Sequence, residues 1–98
     1  MGLVISSKVQ QKLTQKHGGI SEDEISQCFA NMEKGFLVDD REKNKSTPPT
    51  RWFIAETDYG RRLKVVFIYP INGNTVIKTA YEPNDTEIQI YQNKAKNL

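Results

Sequence analysis

The sequence predicts an α+β fold in which two N-terminal helices precede an antiparallel sheet of three to four strands and a C-terminal helix. Three observations lead to this prediction. A helix-capping signal and an apolar stripe lie between Ser21 and Met32, alternating apolar residues recur from Trp52 to Tyr81, and a second stripe of helical spacing follows. The strands succeed one another with short connections, which favours a meander. A chain of 98 residues is expected to form one domain, residues 1–98.

Composition and charge restrict the class of protein but leave its function open. The 14 lysines and arginines and the 12 aspartates and glutamates give a net charge of +2, which is too small by itself to indicate a nucleic-acid partner. The only cysteine, Cys28, excludes an intramolecular disulfide and suits a reducing compartment. One cysteine and one histidine alone do not make a zinc site, and no cofactor is expected. Without a signal-peptide pattern or a long apolar run, a cytoplasmic protein with no membrane span is expected.

The first helix is predicted over roughly Lys8 to His17, with a serine cap before it and a glycine pair after it. Val9 and Leu13 are its few apolar positions. A stripe of cations on another side, which we interpret as a solvated face, consists of Lys8, Lys12 and Lys16.

The second helix has the stronger signal. Ser21 and Glu24 have the spacing of a capping box, in which each side chain binds a free backbone N–H of the other residue. A buried stripe then follows at helical spacing, formed by Ile25, Cys28, Phe29 and Met32. The thiol of Cys28 is expected to be buried and inert, because nothing near it in the sequence would lower its pKa.

A charged segment separates the helices from the main sheet. Phe36 to Val38 is predicted as a short strand. Asp39 to Thr50 is charged, contains two prolines and has no apolar periodicity. These features predict that Asp39 to Thr50 forms a loop, and the loop is long enough to close over a partner.

Three strands are predicted over Trp52 to Thr57, Arg61 to Tyr69 and Thr75 to Tyr81. The turn Asp58-Tyr59-Gly60 joins the first two strands. Asn72-Gly73 is a strong signal for a tight hairpin between the second and the third.

The central strand has one apolar face and one face that begins with cations. Leu63, Val65 and Phe67 alternate on the first face. Arg62 and Lys64 begin the second face, which becomes apolar beyond them. The sequence therefore predicts a basic, open end on this strand.

The last segment is predicted as an amphipathic helix with Ile88, Tyr91 and Ala95 on one side. Pro83 would lie in its first turn, where proline is tolerated. The alternation of Ile88 and Ile90 leaves a strand open as the alternative.

The register of the predicted hairpin decides which sheet face carries Lys78. A strict two-residue turn at Asn72-Gly73 would place Lys78 opposite Phe67 and Tyr81 opposite Lys64, and Lys78 would share the apolar face. A register shifted by one residue would instead place Lys78 with the cations of the other face. We favour the shifted register, because a lysine is costly to bury unpaired.

Several motifs occur in a recognisable order: a Lys-His-Gly helix end, a capped helix, an acidic Asp-Asp-Arg, an Arg-Trp strand, a Gly-Arg strand and an Ile-Lys-Thr-Ala strand. In this chain they are Lys16-His17-Gly18, Ser21 to Phe29, Asp39-Asp40-Arg41, Arg51-Trp52, Gly60 to Phe67 and Ile77 to Ala80. This order resembles the BrnT family of ribonuclease toxins, the toxin halves of bacterial type II toxin–antitoxin pairs. The resemblance spans about Lys16 to Tyr91.

The resemblance implies a RelE-like compact α+β fold and metal-independent endoribonuclease activity on RNA. It also implies a small antitoxin that covers the active surface, in a possible heterotetramer. Such cleavage uses the neighbouring 2′-OH of the RNA as the nucleophile, and the protein supplies a base, an acid and cations that hold the phosphate.

The candidate site residues come from this resemblance and from the cations of the strands. Where the family usually continues its last strand with an arginine pair, this chain has Tyr81-Glu82, so other cations would have to hold the phosphate. The candidate catalytic residues are Lys64, Lys78, Tyr81, Glu82 and His17. The candidate RNA-binding residues are Arg41, Arg51, Trp52, Arg61 and Arg62. Glu56 is an alternative general base.

Each candidate also has a structural interpretation. His17 has an ordinary pKa near neutrality, but at a helix C-terminus it would also interact with the helix dipole. Arg41 would pair with the aspartates before it, and Trp52 would pack in the core. The alternative function is therefore a catalytically inactive family member that binds a partner or a nucleic acid. A small enzyme of another kind ranks last. The class considered is the hydrolases of ADP-ribosylated protein, whose fold is a much larger helical domain with a carboxylate-bound metal pair, and this chain has neither that length nor such clustered ligands.

Overall fold

The computed structural model describes residues 3–15, 19–38, 49–69 and 73–96. These ranges contain five strands and three helices. In chain order they are β1 (Leu3–Val4), α1 (Ser7–Gln15), α2 (Glu22–Ala30), β2 (Leu37–Val38), β3 (Arg51–Glu56), β4 (Arg62–Ile68), β5 (Thr75–Tyr81) and α3 (Asp85–Lys94).

All five strands form one mixed sheet in the order β1-β5-β4-β3-β2. β1 runs parallel to β5, and the other neighbours are antiparallel. The predicted α+β class and the antiparallel meander of β3, β4 and β5 are confirmed. The predicted count of three to four strands and the purely antiparallel sheet are wrong, because β1 comes before the helices and pairs with β5 at only two positions, Leu3 and Val4. Two residues are too few to show an alternating pattern.

Helices cover both faces of this sheet. The Phe29 ring of α2 lies 4.7 Å from that of Phe53 on β3, and the Tyr91 ring of α3 lies 5.8 Å from that of Trp52. Neighbouring residues of a strand point to opposite faces. Trp52 and Phe53 are neighbours, so α2 and α3 pack on opposite faces of the sheet, and α1 packs against β5.

Two helices begin at capping boxes, of which only the one at Ser21 was predicted. Ser21 and Glu24 form the predicted capping box, with the Glu24 N–H donating to Ser21 Oγ at 3.1 Å. A second capping box, between Asn84 and Glu87, starts α3. The last segment is therefore a helix rather than a strand, and Pro83 precedes the cap instead of lying in the first turn.

The buried core is shared by the sheet and the helices. Its members with no more than a few per cent exposure include Leu13, Ile20, Ile25, Cys28, Phe53, Leu63, Val65, Phe67, Ile77 and Ala80. The predicted apolar face of the central strand is thus confirmed at Leu63, Val65 and Phe67. Burial raises the pKa of the Cys28 thiol to about 12, as expected for an inert structural cysteine.

The β4–β5 hairpin combines the two registers that the sequence left open. Lys64 lies opposite Tyr81, as in the strict register, whereas Phe67 lies opposite Ile77, as in the shifted one. The register changes between Val66, which pairs with Thr79, and Phe67, which pairs with Ile77, so that Lys78 has no partner in the β4–β5 ladder. Lys78 is the extra residue of a β-bulge and is exposed. The bulge keeps a lysine out of the apolar face while Ile77 remains buried in it.

No helix within the described residues is long and apolar enough to cross a membrane.

Candidate functional site

Three ionisable side chains converge where α3 begins over the sheet. Lys64 Nζ lies 2.7 Å from Glu87 Oε2, and the Tyr81 hydroxyl donates to the same oxygen at 2.8 Å. The antiparallel pairing of β4 and β5 places Lys64 and Tyr81 side by side, and the first turn of α3 brings Glu87 above them. We call Lys64, Tyr81 and Glu87 the carboxylate cluster.

Trp52 closes one side of the carboxylate cluster. The Lys64 ammonium lies 4.4 Å from the centre of the Trp52 ring and 5.4 Å from that of the Tyr81 ring, distances at which a cation is attracted to an aromatic face. Lys64 is only 7 % exposed. The prediction of an open basic end is therefore wrong for Lys64, because α3 covers this part of the sheet.

Electrostatics favours an ionised carboxylate in this cluster. Burial alone would raise the pKa of Glu87. The hydrogen bond from Lys64, with those of Asn84 and Tyr81, outweighs burial and holds the pKa of Glu87 below its ordinary value. The cluster thus brings an amine and a phenol into hydrogen-bonding distance of one carboxylate oxygen. These are the kinds of group that metal-free phosphodiester cleavage needs.

Arg61 belongs to a second network, separate from the carboxylate cluster. Its guanidinium bonds to Glu24 Oε2 at 3.0 Å, to Glu82 Oε1 at 3.3 Å and to the Gly19 carbonyl at 2.8 Å. Burial would lower the pKa of Arg61, but its bonds to Glu24 and Glu82 raise the pKa above the ordinary value. Arg61 therefore joins the start of α2 to the end of β5.

The other candidate RNA-binding cations on the sheet lie apart from the carboxylate cluster. Arg62 is exposed and pairs with Glu56 at 3.7 Å. The Arg51 guanidinium lies over the rings of Phe36 and Tyr69, at 5.5 and 5.4 Å from their centres.

Two candidates, His17 and Arg41, lie outside the described residues. Lys78 is exposed on the bulge rather than within the carboxylate cluster, and no described carboxylate pairs with it. Its predicted role, like those of the other candidates, stays a prediction.

Sequence reasoning missed Glu87. The signal that could have found it is the spacing of Asn84 and Glu87, which matches the capping box already recognised at Ser21 and Glu24. A capping glutamate has a second carboxylate oxygen. In Glu87, one oxygen accepts from the Asn84 N–H at 3.1 Å and the other binds Lys64 and Tyr81.

A groove of about 680 Å³ opens on the α3 side of β3. Its floor includes Ile54, Ile88 and Tyr91, and its rim carries the carboxylates of Glu33, Glu56 and Asp58. The cations Lys34 and Arg62 also line it, but Lys64 and Tyr81 do not. Residues 3–15, 19–38, 49–69 and 73–96 contain no group of three or more histidines, cysteines, aspartates or glutamates that could hold a metal ion.

Comparisons with known protein families, with curated proteins and with solved structures each found no match.

Proposed function

We propose that this protein is a metal-independent endoribonuclease, the toxin of a bacterial toxin–antitoxin pair similar to the BrnT family, neutralised by a small antitoxin. One observation carries the catalytic part: Lys64 and Tyr81, both candidates from the sequence, meet at a single oxygen of Glu87. The toxin class and the antitoxin partner rest on the order of sequence motifs that resembles the family. RNA would be the substrate, and no cofactor is needed.

The three groups have complementary roles in this proposal. The Glu87 carboxylate accepts the proton of the RNA 2′-OH as the 2′-oxygen attacks the neighbouring phosphorus. The Tyr81 phenol gives its proton to the departing 5′-oxygen, and the Lys64 ammonium stabilises the extra negative charge on the crowded phosphate. The bond from 2′-oxygen to phosphorus forms, the bond to the 5′-oxygen breaks, and the products are a 2′,3′-cyclic phosphate and a 5′-hydroxyl.

The test uses purified protein, end-labelled single-stranded RNA and excess EDTA. Tyr81→Phe removes the proton donor but keeps the ring beside Lys64, so we expect cleavage to fall roughly 100-fold, the typical effect of losing one such contact. Tyr59→Phe is the matched control, because Tyr59 is 94 % exposed on the turn after β3. Circular dichroism confirms that each variant is folded. Equal cleavage by wild type and Tyr81→Phe would overturn the proposed roles.

The second candidate function is a binding protein of the same type that has lost catalysis. The observation in its favour is that Lys64 and Glu87 satisfy each other beneath α3, with side-chain exposures of 9 % and 19 %. In this second function, the pair has the structural role of holding α3 on the sheet and takes no part in catalysis. RNA or antitoxin binding without cleavage by the wild type would support this function over the first.

A further inference from the structure

Acidic residues are absent from two long parts of the sequence. No aspartate or glutamate precedes Glu22, and none lies between Asp58 and Glu82. These parts supply β1, α1, β4 and β5. The same four elements are neighbours in space, because β1 and β4 pair with β5 on its two sides and α1 packs against β5. These four neighbouring elements therefore contribute no carboxylate of their own.

Three exposed lysines lie on this side. Lys8 and Lys12 are exposed on α1, about one helical turn apart, and Lys78 is exposed on the β5 bulge. We call the surface that carries Lys8, Lys12 and Lys78 the lysine flank.

The topology brings the start of α1 close to Lys78. β1 runs parallel to β5 with Val4 beside Val76. The chain leaves β1 in the direction of Lys78 and begins α1 at Ser7, two residues after Ile5. β1 pairs only with Thr75 and Val76 among the described residues, so Lys78 lies where β5 itself is the outer strand.

These lysines differ from the cations of the two networks. Lys64 and Arg61 are each bound to glutamate, whereas no described carboxylate pairs with a lysine of the flank. The other exposed side chains of α1 are uncharged amides and hydroxyls: Ser7, Gln10, Gln11, Thr14 and Gln15. The exposed side chains of α1 therefore include no aromatic or large apolar anchor of the kind typical of protein interfaces. Its charge and hydrogen-bonding groups fit a phosphate backbone.

We propose that the lysine flank binds the sugar–phosphate backbone of single-stranded RNA and so holds the substrate beside the sheet. This inference rests on the proposed ribonuclease function, but it concerns binding rather than cleavage. In this inference, the exposed lysines position the RNA, a role for which the sequence had suggested Arg51 and Arg61. In the structure Arg51 lies over aromatic rings, and Arg61 is bound to carboxylates.

The test measures binding alone. A fluorescent single-stranded RNA with every 2′-OH methylated has no nucleophile, so the nuclease cannot cut it, and anisotropy gives its affinity at several salt concentrations. Three lysine–phosphate contacts contribute a slope of about −2 to the logarithm of affinity against the logarithm of salt concentration. We therefore expect the Lys8→Ala/Lys12→Ala/Lys78→Ala variant to have a slope less steep by about 2.

The double variant Lys8→Ala/Lys12→Ala is also measured, and its matched control is Lys94→Ala/Lys96→Ala, which removes two exposed lysines at the end of α3. Both double variants remove the same charge, and we expect the control to keep the wild-type slope. In the wild type, the contacts of the flank should by themselves make binding roughly 16-fold weaker at 200 mM than at 50 mM salt, as a slope of −2 requires. All these side chains are exposed, so the variants should keep the wild-type melting temperature.

Two outcomes would overturn the inference: a triple variant with the wild-type salt slope, or equal losses in the triple variant and the control. Tighter binding of polyglutamate than of the RNA would also overturn it, in favour of an acidic protein partner. Failure of the proposed function is a separate result, seen as no cleavage of unmodified RNA while the flank still binds the methylated strand.

Discussion

Lys64 illustrates how a cation suited to a ligand can instead be bound within the protein. Its strand position and neighbouring cation suggested an open basic surface. In the structure, Glu87 and the rings of Trp52 and Tyr81 surround its ammonium group. A buried ammonium needs such partners, because an unpaired charge is very unfavourable away from water. The same partners are also what give the cluster its possible chemistry.

Glu87→Gln should lower the free energy of unfolding at pH 7 by about 2 to 3 kcal/mol, since it leaves Lys64 without its counter-ion. This is near the low end for a buried pair because Glu87 keeps 19 % side-chain exposure. Urea denaturation of the wild type and the variant measures the loss. Glu33→Gln, at an exposed position, is the control and should change little.

The loss of unfolding free energy in Glu87→Gln should become smaller as the pH falls. The pKa of Glu87 in the folded protein lies below its ordinary value of 4.5, so its stabilising effect is complete above about pH 4.5. It disappears as the pH falls through the lower, folded-state pKa. The stability curves of the wild type and Glu87→Gln should therefore converge in acid. A constant difference down to pH 2 would show that the ion pair is not its source.

At the scale of single elements, the bulge in β5 reconciles two requirements that no regular register satisfies together. Tyr81 must face Lys64 and α3, while Ile77 must face the core. With Lys78 as an extra residue, both side chains take the required faces.

Deletion of Lys78 should leave a continuous ladder in which Thr79 follows Ile77 and every inward side chain keeps its place. We expect the free energy of unfolding to change by no more than about 1 kcal/mol, which is typical of a single substitution. Deletion of Ala80 is the contrasting variant, since it would move Tyr81 into the place of a fully buried alanine. Circular dichroism and urea denaturation distinguish the two. Loss of folding on deletion of Lys78 would show that the bulge itself is required.

The sequence predicted the elements that have strong local signals. The capping box at Ser21 and the alternation of the strands determined α2 and the meander. β1 was missed because its two residues pair with a strand about seventy positions later, and no local pattern reports such a contact. Two of the three residues of the carboxylate cluster, Lys64 and Tyr81, were among the candidates from the sequence. Its third member depends on how α3 docks, which is a tertiary property.

At the scale of the whole molecule, opposite charges collect on different sides. The lysine flank lies on β1, α1 and β5. Carboxylates instead occupy the first turn of α2 and the rim of the groove beside β3. This separation gives the molecule an electrostatic direction although its net charge is only +2. A polyanion would be attracted to the exposed lysines of the flank rather than to the carboxylates at the start of α2.

The helical layers share one sheet, so they should unfold together. Two intrinsic probes lie on opposite faces of the sheet: Trp52, the only tryptophan, contacts α3, and Cys28, a residue of α2, is buried against β3. In a urea titration, the shift of Trp52 fluorescence and the exposure of the Cys28 thiol to a chromogenic disulfide reagent should have the same midpoint.

If Trp52 responds at lower urea than Cys28, α3 leaves the sheet before the core melts, and the prediction of a single transition is wrong. That result would also change the view of the carboxylate cluster, because Lys64 and Tyr81 would then become accessible in a partly opened molecule. Coincident midpoints would instead mean that α3 remains in place until the protein unfolds. Under the proposed ribonuclease function, RNA would then have to reach the cluster through the partly exposed side of Glu87 and Tyr81.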